Sequence, residues 1–354
     1  MTAVPTPGRG GAVGRVLNRF LHSREIGILA ALVIVVIITT IVNPSFLFSS
    51  DGFRDLLLTP SILVLVAVGQ AIVIITRSVD LSVGSVVGLT AYLAGRLFVD
   101  VHGIPIVVVF IACIVFGGVL GLVNGLLVAY GKVPALVITL GTLYAYRGIN
   151  VLWAGSSRVN ASDMPDQFLG LGTGSFLYIP FLAIIALVVV LATGWYLRNR
   201  RGGREFYAIG SDPAAAELYG LKVTQRILVA FVLSGALAGL AGLLFAARYG
   251  TIDSQTGTGL ELQAVGAAVI GGVAIFGGSG SVYGAAIGAM LLLTINRALP
   301  ILGIPDFWQQ AVVGVLIIGA IVLDRVLALR VSKRLITERD TSSDTVSVTA
   351  GGER

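Results

Sequence analysis

Long apolar runs, broken by short clusters of charge, glycine and proline, organise this chain. The runs are continuous, about 17 to 25 residues each, which is the length that crosses a bilayer as an α-helix. They predict ten spans, at approximately 26–42, 57–76, 82–99, 105–129, 134–153, 176–197, 227–247, 261–277, 282–298 and 308–328. None shows the ten-residue alternation of a transmembrane strand, so a barrel is excluded. In lipid every backbone amide must be bonded internally, and helices remain as the only spanning element. The fold class is all-α polytopic. The eighth run is short and rich in glycine, and reads as broken or re-entrant. Eight spans result if 76–99 or 261–298 is re-entrant.

Composition agrees. Of 354 residues 56% are hydrophobic and 12% charged, against about a quarter charged in a soluble domain. The basic residues sort by loop. With the N-terminus inside, most of the 24 Lys and Arg residues fall on the inner side, and Arg54, Arg96, Arg147, Arg158, Arg248 and Arg297 are the others. This asymmetry predicts both termini in the cytoplasm. The net charge of +6 therefore reads as orientation in the membrane, with no nucleic-acid partner. The basic stretch before Ile26 is long and lacks a small-residue cleavage site, so 26–42 reads as a span, not a removable signal. Residues 1–25 read as a cytoplasmic tail, 26–330 as the membrane domain with an inner loop at 198–226, and 331–354 as a polar tail too poor in apolar residues to build a core.

Little in the chain suggests catalysis. Cys113 lies in an apolar run and reads as a small buried hydrophobe. His22 and His102 are far apart, so no metal cluster is expected. Glycines recur four apart at Gly84/Gly88, Gly117/Gly121/Gly125, Gly235/Gly239 and Gly284/Gly288, the spacing that lets helix backbones approach closely. The string Gly271-Gly272-Val273-Ala274-Ile275-Phe276-Gly277-Gly278-Ser279-Gly280 predicts a break between two short membrane segments. Polar groups inside apolar runs are candidates for a solute path: Gln70, Asp80, Asn124, Thr139 and Thr142. The competing readings are an Arg77–Asp80 ion pair and threonines bonded back to their own helix. Arg147 and Asn150 close the fifth span.

The inner loop carries a helix signal at Ser211-Asp212-Pro213-Ala214-Ala215-Ala216-Glu217-Leu218-Tyr219-Gly220. Ser211 or Asp212 suits the N-cap, Pro213 the first turn, the alanines the interior and Gly220 the stop. An ordinary surface helix would expose Leu218 and Tyr219 to no purpose; docking of a cytoplasmic partner explains them.

Several stretches match a known family. They are Thr76-Arg77-Ser78-Val79-Asp80-Leu81-Ser82-Val83-Gly84-Ser85, Thr139-Leu140-Gly141-Thr142-Leu143-Tyr144-Ala145-Tyr146-Arg147-Gly148, Gly203 through Gly220, Gly271 through Gly288, and Phe307-Trp308-Gln309-Gln310. In this order, over roughly 26–330, the chain resembles the permeases of ribose-, xylose- and rhamnose-type ABC importers, which include autoinducer-2 permeases. The Arg-Ser-Val-Asp-Leu form is similar to the rhamnose and autoinducer-2 branch, whereas many members carry Gly at the positions of Arg77 or Ser78. The resemblance implies two permease copies or a pair of paralogues, a cytoplasmic ATP-binding subunit, an extracytoplasmic solute-binding protein, and docking of Ser211–Gly220 on the ATPase. The chain has no G-x-x-x-x-G-K-[ST] loop. It is expected to bind no cofactor, with ATP used by the partner. The alternatives are a branched-chain amino acid permease and a self-sufficient secondary transporter, which would carry ion-coupling carboxylates near the midplane. A membrane enzyme has no nucleophile–base set in its favour.

Overall fold

The computed structural model describes residues 24–305 and scattered positions between 307 and 322. The tails 1–23 and 331–354, and most of the expected span 308–328, lie outside the described residues. Helix α1 (Arg24–Val42) and the short α2 (Ser45–Phe48) lead into α3 (Ser50–Ile75), α4 (Val83–Asp100), α5 (Ile106–Gly131) and α6 (Ala135–Ala154). A single 3-10 turn, α7 (Asp166–Thr173) and a two-residue-strand hairpin, β1 (Ser175–Phe176) with β2 (Ile179–Pro180), follow. Then come α8 (Phe181–Asn199), α9 (Arg201–Ser211), α10 (Pro213–Leu218), α11 (Val223–Tyr249), α12 (Leu260–Ile270) and α13 (Val282–Ile301). Among the described residues, eight helices are long and apolar enough to cross a membrane.

Proline and glycine punctuate the spans. Pro105, Pro134 and Pro180 stand in extended backbone immediately before α5, α6 and α8. There a missing N–H costs nothing and the fixed φ launches the helix. Gly250 closes α11 in the left-handed region at φ 64°.

The spans divide into a buried core and a lipid-facing shell. Helix α3 is buried along nearly all its length, and α11 buries most of its second half. Helices α1, α5, α6 and α8 keep large apolar side chains such as Ile34, Val107, Leu152 and Val188 exposed. In a membrane this exposure costs nothing, because lipid tails are as apolar as leucine.

The expected eighth span, 261–277, is not a full helix. Helix α12 has 11 residues and stops at Gly271. Gly272, Gly277, Gly278 and Gly280 then take positive φ, so the backbone turns where a helix would continue. The break predicted from the glycine string is present, but α13 beyond it is a full 20-residue span. Before α12 the chain is also non-helical. Residues 252–257 run beside α4: Ile252 meets Gly95, the Thr256 carbonyl lies against Gly88 and the Gly257 carbonyl against Gly84. Irregular backbone at membrane depth is tolerated only when protein covers it, and the α4 glycine face supplies that cover.

Loop contacts separate the two ends of the bundle. At one end the Gly278 N–H donates to the Ile75 carbonyl at 3.0 Å and Tyr207 Oη donates to the Gly280 carbonyl at 3.1 Å. At the other, Arg297 donates to the Gly52 carbonyl, Arg248 pairs with Asp55 at 3.8 Å, and Val159 bridges Ile252. The described loops thus sort to two opposite ends of the bundle.

A seam of facing glycines joins α5 to α11. A methyl group added at Gly117, Gly121, Gly235 or Gly239 would overlap the facing backbone, and Gly121 would meet the Gly235 Cα at 3.1 Å. Gly235→Leu is expected to cost about 1–3 kcal/mol through overpacking and to lower the unfolding midpoint in detergent. Gly141→Ala, on an open face of α6, is the control and should leave the midpoint unchanged or slightly raised.

Candidate functional site

Two constructions stand out, a buried polar knot and a helical projection at one end of the bundle. The knot forms around the loop between α3 and α4. Asp80 is 1% exposed. Its Oδ1 accepts from the Ser82 N–H at 3.0 Å and the Ser82 Oγ–H at 2.7 Å, an Asx-type turn that holds the start of α4. Ser82 Oγ in turn accepts from Asn124 Nδ2 at 2.7 Å. Tyr146 Oη lies 3.0 Å from the Leu120 carbonyl and 3.4 Å from Asn124 Oδ1 and donates toward both. Gln70, its amide oriented by the surrounding network, donates to the Asp80 carbonyl at 3.0 Å and accepts from the Asp80 N–H at 3.2 Å. Thr139 Oγ donates to the Val79 carbonyl at 3.1 Å.

The knot thus draws on α3, α4, α5, α6 and the loop they share. It lies below the end of the bundle, since Asn124 is roughly 10 Å of helix rise from the α5 terminus at Gly131. Four of the five path candidates, Gln70, Asp80, Asn124 and Thr139, meet here, with their polar groups bonded to Ser82, to Tyr146 and to the loop backbone. Thr142 stands apart, half-buried, its hydroxyl 3.3 Å from the carbonyl of Thr139 in its own helix. The Arg77–Asp80 ion pair is not made. Arg77 is exposed with φ 68°, and the turn that buries Asp80 sends Arg77 outward.

Sequence reasoning missed Ser82 and Tyr146 as members of the knot. Ser82 was discoverable as the Asx partner two residues beyond Asp80. Tyr146, on another span, had no local signal. A second polar junction was also missed. Arg147 Nη1 donates to the Thr256 carbonyl at 2.7 Å and Asn150 Nδ2 to the Ser254 carbonyl at 3.2 Å. These side chains satisfy the non-helical backbone before α12, a role beyond closing the fifth span.

The projection consists of α9 and α10. Helix α9 was not expected, since the helix signal in this loop was read only over Ser211–Gly220. Gly203 rests on the Tyr196–Leu197 backbone and Gly210 on the Ile75 carbonyl, positions with no room for a side chain. Phe206 and Ile209 are buried on the same face. Glu205 anchors the helix between Arg201 and Arg226, accepting from Arg201 Nε at 2.9 Å and from Arg226 Nε. Burial opposes ionisation of Glu205, but the hydrogen bonds from Arg226 and Arg201 outweigh it and hold the carboxyl below its ordinary value.

Helix α10 follows at once. Asp212 is the N-cap, its Oδ1 accepting from the N–H groups of Ala214 (3.0 Å) and Ala215 (3.1 Å). Ser211 belongs to the end of α9 and does not cap. Leu221 N–H bonds to the Ala216 carbonyl and Gly220 N–H to that of Glu217, with Gly220 at φ 77°, a Schellman stop. Ala216 is buried beneath, while Leu218 and Tyr219 are 90% and 87% exposed.

A bundle of apolar spans with one broken span and an internal polar knot defines a multi-pass membrane transport component. Residues 52–321 match the family described as branched-chain amino acid transport system / permease component. The chain belongs to that family. It is 36% identical over 87% of its length to the autoinducer 2 import system permease protein LsrC of Enterobacter sp. (strain 638), covering 88% of that protein. It is 35% identical over 89% of its length to the corresponding permease of Escherichia coli (strain K12 / DH10B), covering 90% of that protein. No solved structure matches the chain.

Asn124→Ala should remove the bridge between Ser82 and Tyr146 and cost about 1–3 kcal/mol, seen as a lower unfolding midpoint; Thr142→Ala should change it by less than about 0.5 kcal/mol. The anchor of α9 carries a pH signature. A carboxyl whose folded pKa is depressed adds stability above its unfolded value, near 4.3, and loses that contribution as pH falls through the folded pKa. The protection of α9 amides, taken relative to intrinsic exchange at each pH, should therefore stay high and constant from neutrality to about pH 5 and fall in more acidic solution. In Glu205→Gln it should be low throughout.

Proposed function

We propose that this permease is the passive gate of an ATP-driven importer for a sugar-like solute, moved by a separate cytoplasmic ATP-binding subunit that docks on α10. The observation that carries this is the projection itself. A six-residue helix, capped at both ends and fastened to the bundle through α9, holds Leu218 and Tyr219 almost fully in the open. Apolar side chains anchored so firmly outside the lipid-facing shell suit a protein groove. On this reading the α10 end and both termini are cytoplasmic, a solute-binding protein delivers cargo at the opposite face, and a second permease copy or a paralogue completes the pathway. ATP is bound and hydrolysed by the partner, and this chain holds no cofactor. The sugar-like cargo is supported by relatives named for autoinducer 2 import. The family description also covers branched-chain amino acids, so both solute classes belong in the test.

Solute would pass the knot of Gln70, Asp80, Asn124 and Thr139, with Thr142 one turn further along α6. In the present conformation these groups are bonded to Ser82, Tyr146 and nearby backbone, and on this reading a path past them opens when the spans tilt.

The test is reconstitution in proteoliposomes with the ATP-binding subunit and the binding protein. Asp212→Lys or Ala215→Glu should reduce ATP-dependent uptake by at least about tenfold, as loss of a cap or a buried charge at a hot spot would, while membrane insertion stays normal. Wild-type uptake by both variants would remove α10 from the coupling role. Uptake driven by an ion gradient without the ATPase would favour a secondary transporter. Competition by monosaccharides against leucine separates the solute classes.

A further inference from the structure

A cavity of about 400 Å³ opens at the α10 end of the bundle, apart from both the knot and α10. It lies where three spans terminate. The start of α1 supplies Glu25, the end of α8 Arg198, the start of α13 Tyr283, and α9 adds Arg204 and Tyr207. Its volume is within the range of about 300–1,000 Å³ for ligand sites. Among the described residues, Arg198 and Arg204 make no ion pair or side-chain hydrogen bond, in contrast to Arg201 and Arg226 beside them, which share Glu205. The Tyr283 ring packs over Gly194, where any added side chain would collide with it. Tyrosine at this level is the usual interfacial residue, apolar toward the tails and polar toward the headgroups. Toward the opposite end, Leu29 and Val33 of α1 and Leu191 of α8 are exposed, giving acyl chains a surface to follow.

We propose that this cavity binds the headgroup of a phospholipid bearing both a phosphate and a primary ammonium, as in phosphatidylethanolamine. Two arginines without partners suit a phosphate, which guanidinium groups bind through charge-assisted hydrogen bonds. Glu25 sets the choice of headgroup. Its carboxylate disfavours a free anion and accepts hydrogen bonds from an ammonium, which a quaternary choline cannot donate. The position at the span ends favours a lipid over a diffusing solute. Bound there, the lipid fastens α1 to α8 and α13 beside α9. The inference does not depend on the solute or on ATP coupling.

The experiment is native mass spectrometry of the purified full chain, titrated in detergent with phosphatidylethanolamine, phosphatidylcholine or phosphatidylglycerol. Wild-type protein should retain phosphatidylethanolamine about tenfold better than phosphatidylcholine, and Arg198→Gln/Arg204→Gln should lose about tenfold in retention. Arg198→Lys/Arg204→Lys should keep most of it, which separates loss of charge from loss of fold. Glu25→Gln should erase the preference for ethanolamine over choline. Equal retention of ethanolamine and choline lipids by the wild type would overturn the proposal. So would unchanged retention by the double Gln variant, a preference for phosphatidylglycerol, or displacement of the lipid by millimolar inorganic phosphate.

Discussion

The carbonyl of Ile75 ends the central span α3, and three separate parts of the protein converge on it. The Gly278 N–H bonds to it from the loop after the broken span, Gly210 of α9 lies directly against it, and the Asp80 turn begins just beyond. The last carbonyls of a helix need partners, and near lipid those partners must come from protein. Meeting that demand here draws the glycine loop, the projecting helices and the polar knot into one contiguous patch. Helix α9 thereby joins α10 to the end of α3 through closely packed backbone.

Close backbone approach recurs through the bundle. In lipid, burial of apolar side chains does not favour one helix partner over another, so association depends on packing and on hydrogen bonds. The α5–α11 seam meets that condition with glycine facing glycine. The face of α4 uses the same device for a different purpose, admitting the extended chain at 252–257 where a side chain would exclude it. Arg147 and Asn150 then supply donors to carbonyls that have no helical partner. Charged and amide side chains in a span thus serve the irregular backbone as well as any solute.

The knot has a related double character. Each of Gln70, Asp80, Ser82, Asn124, Tyr146 and Thr139 is bonded to another member or to backbone, and among the described residues the buried Asp80 carboxyl is held by these bonds without a cationic partner. Such a network is specific to one arrangement of four spans and is broken by any large change in their tilt.

The sequence by itself determined the class of fold, the positions of most spans, the alternation of loops and the capped helix that begins at Asp212. These follow from local physics: apolar runs of bilayer length, proline before helices, glycine after them, and a side chain that caps the next turn. It also located the break after Ile270, because consecutive glycines weaken a helix wherever they stand. Only the tertiary structure decided which spans are central, since α3 is buried although α5, which faces outward, is the more apolar of the two. It alone joined Tyr146 to Asn124 and Arg147 to Thr256, turned Arg77 away from Asp80, and made a helix of residues 201–211. The backbones beneath, of Tyr196 and Leu197 under Gly203 and of Ile75 under Gly210, show why glycine was needed at those two positions.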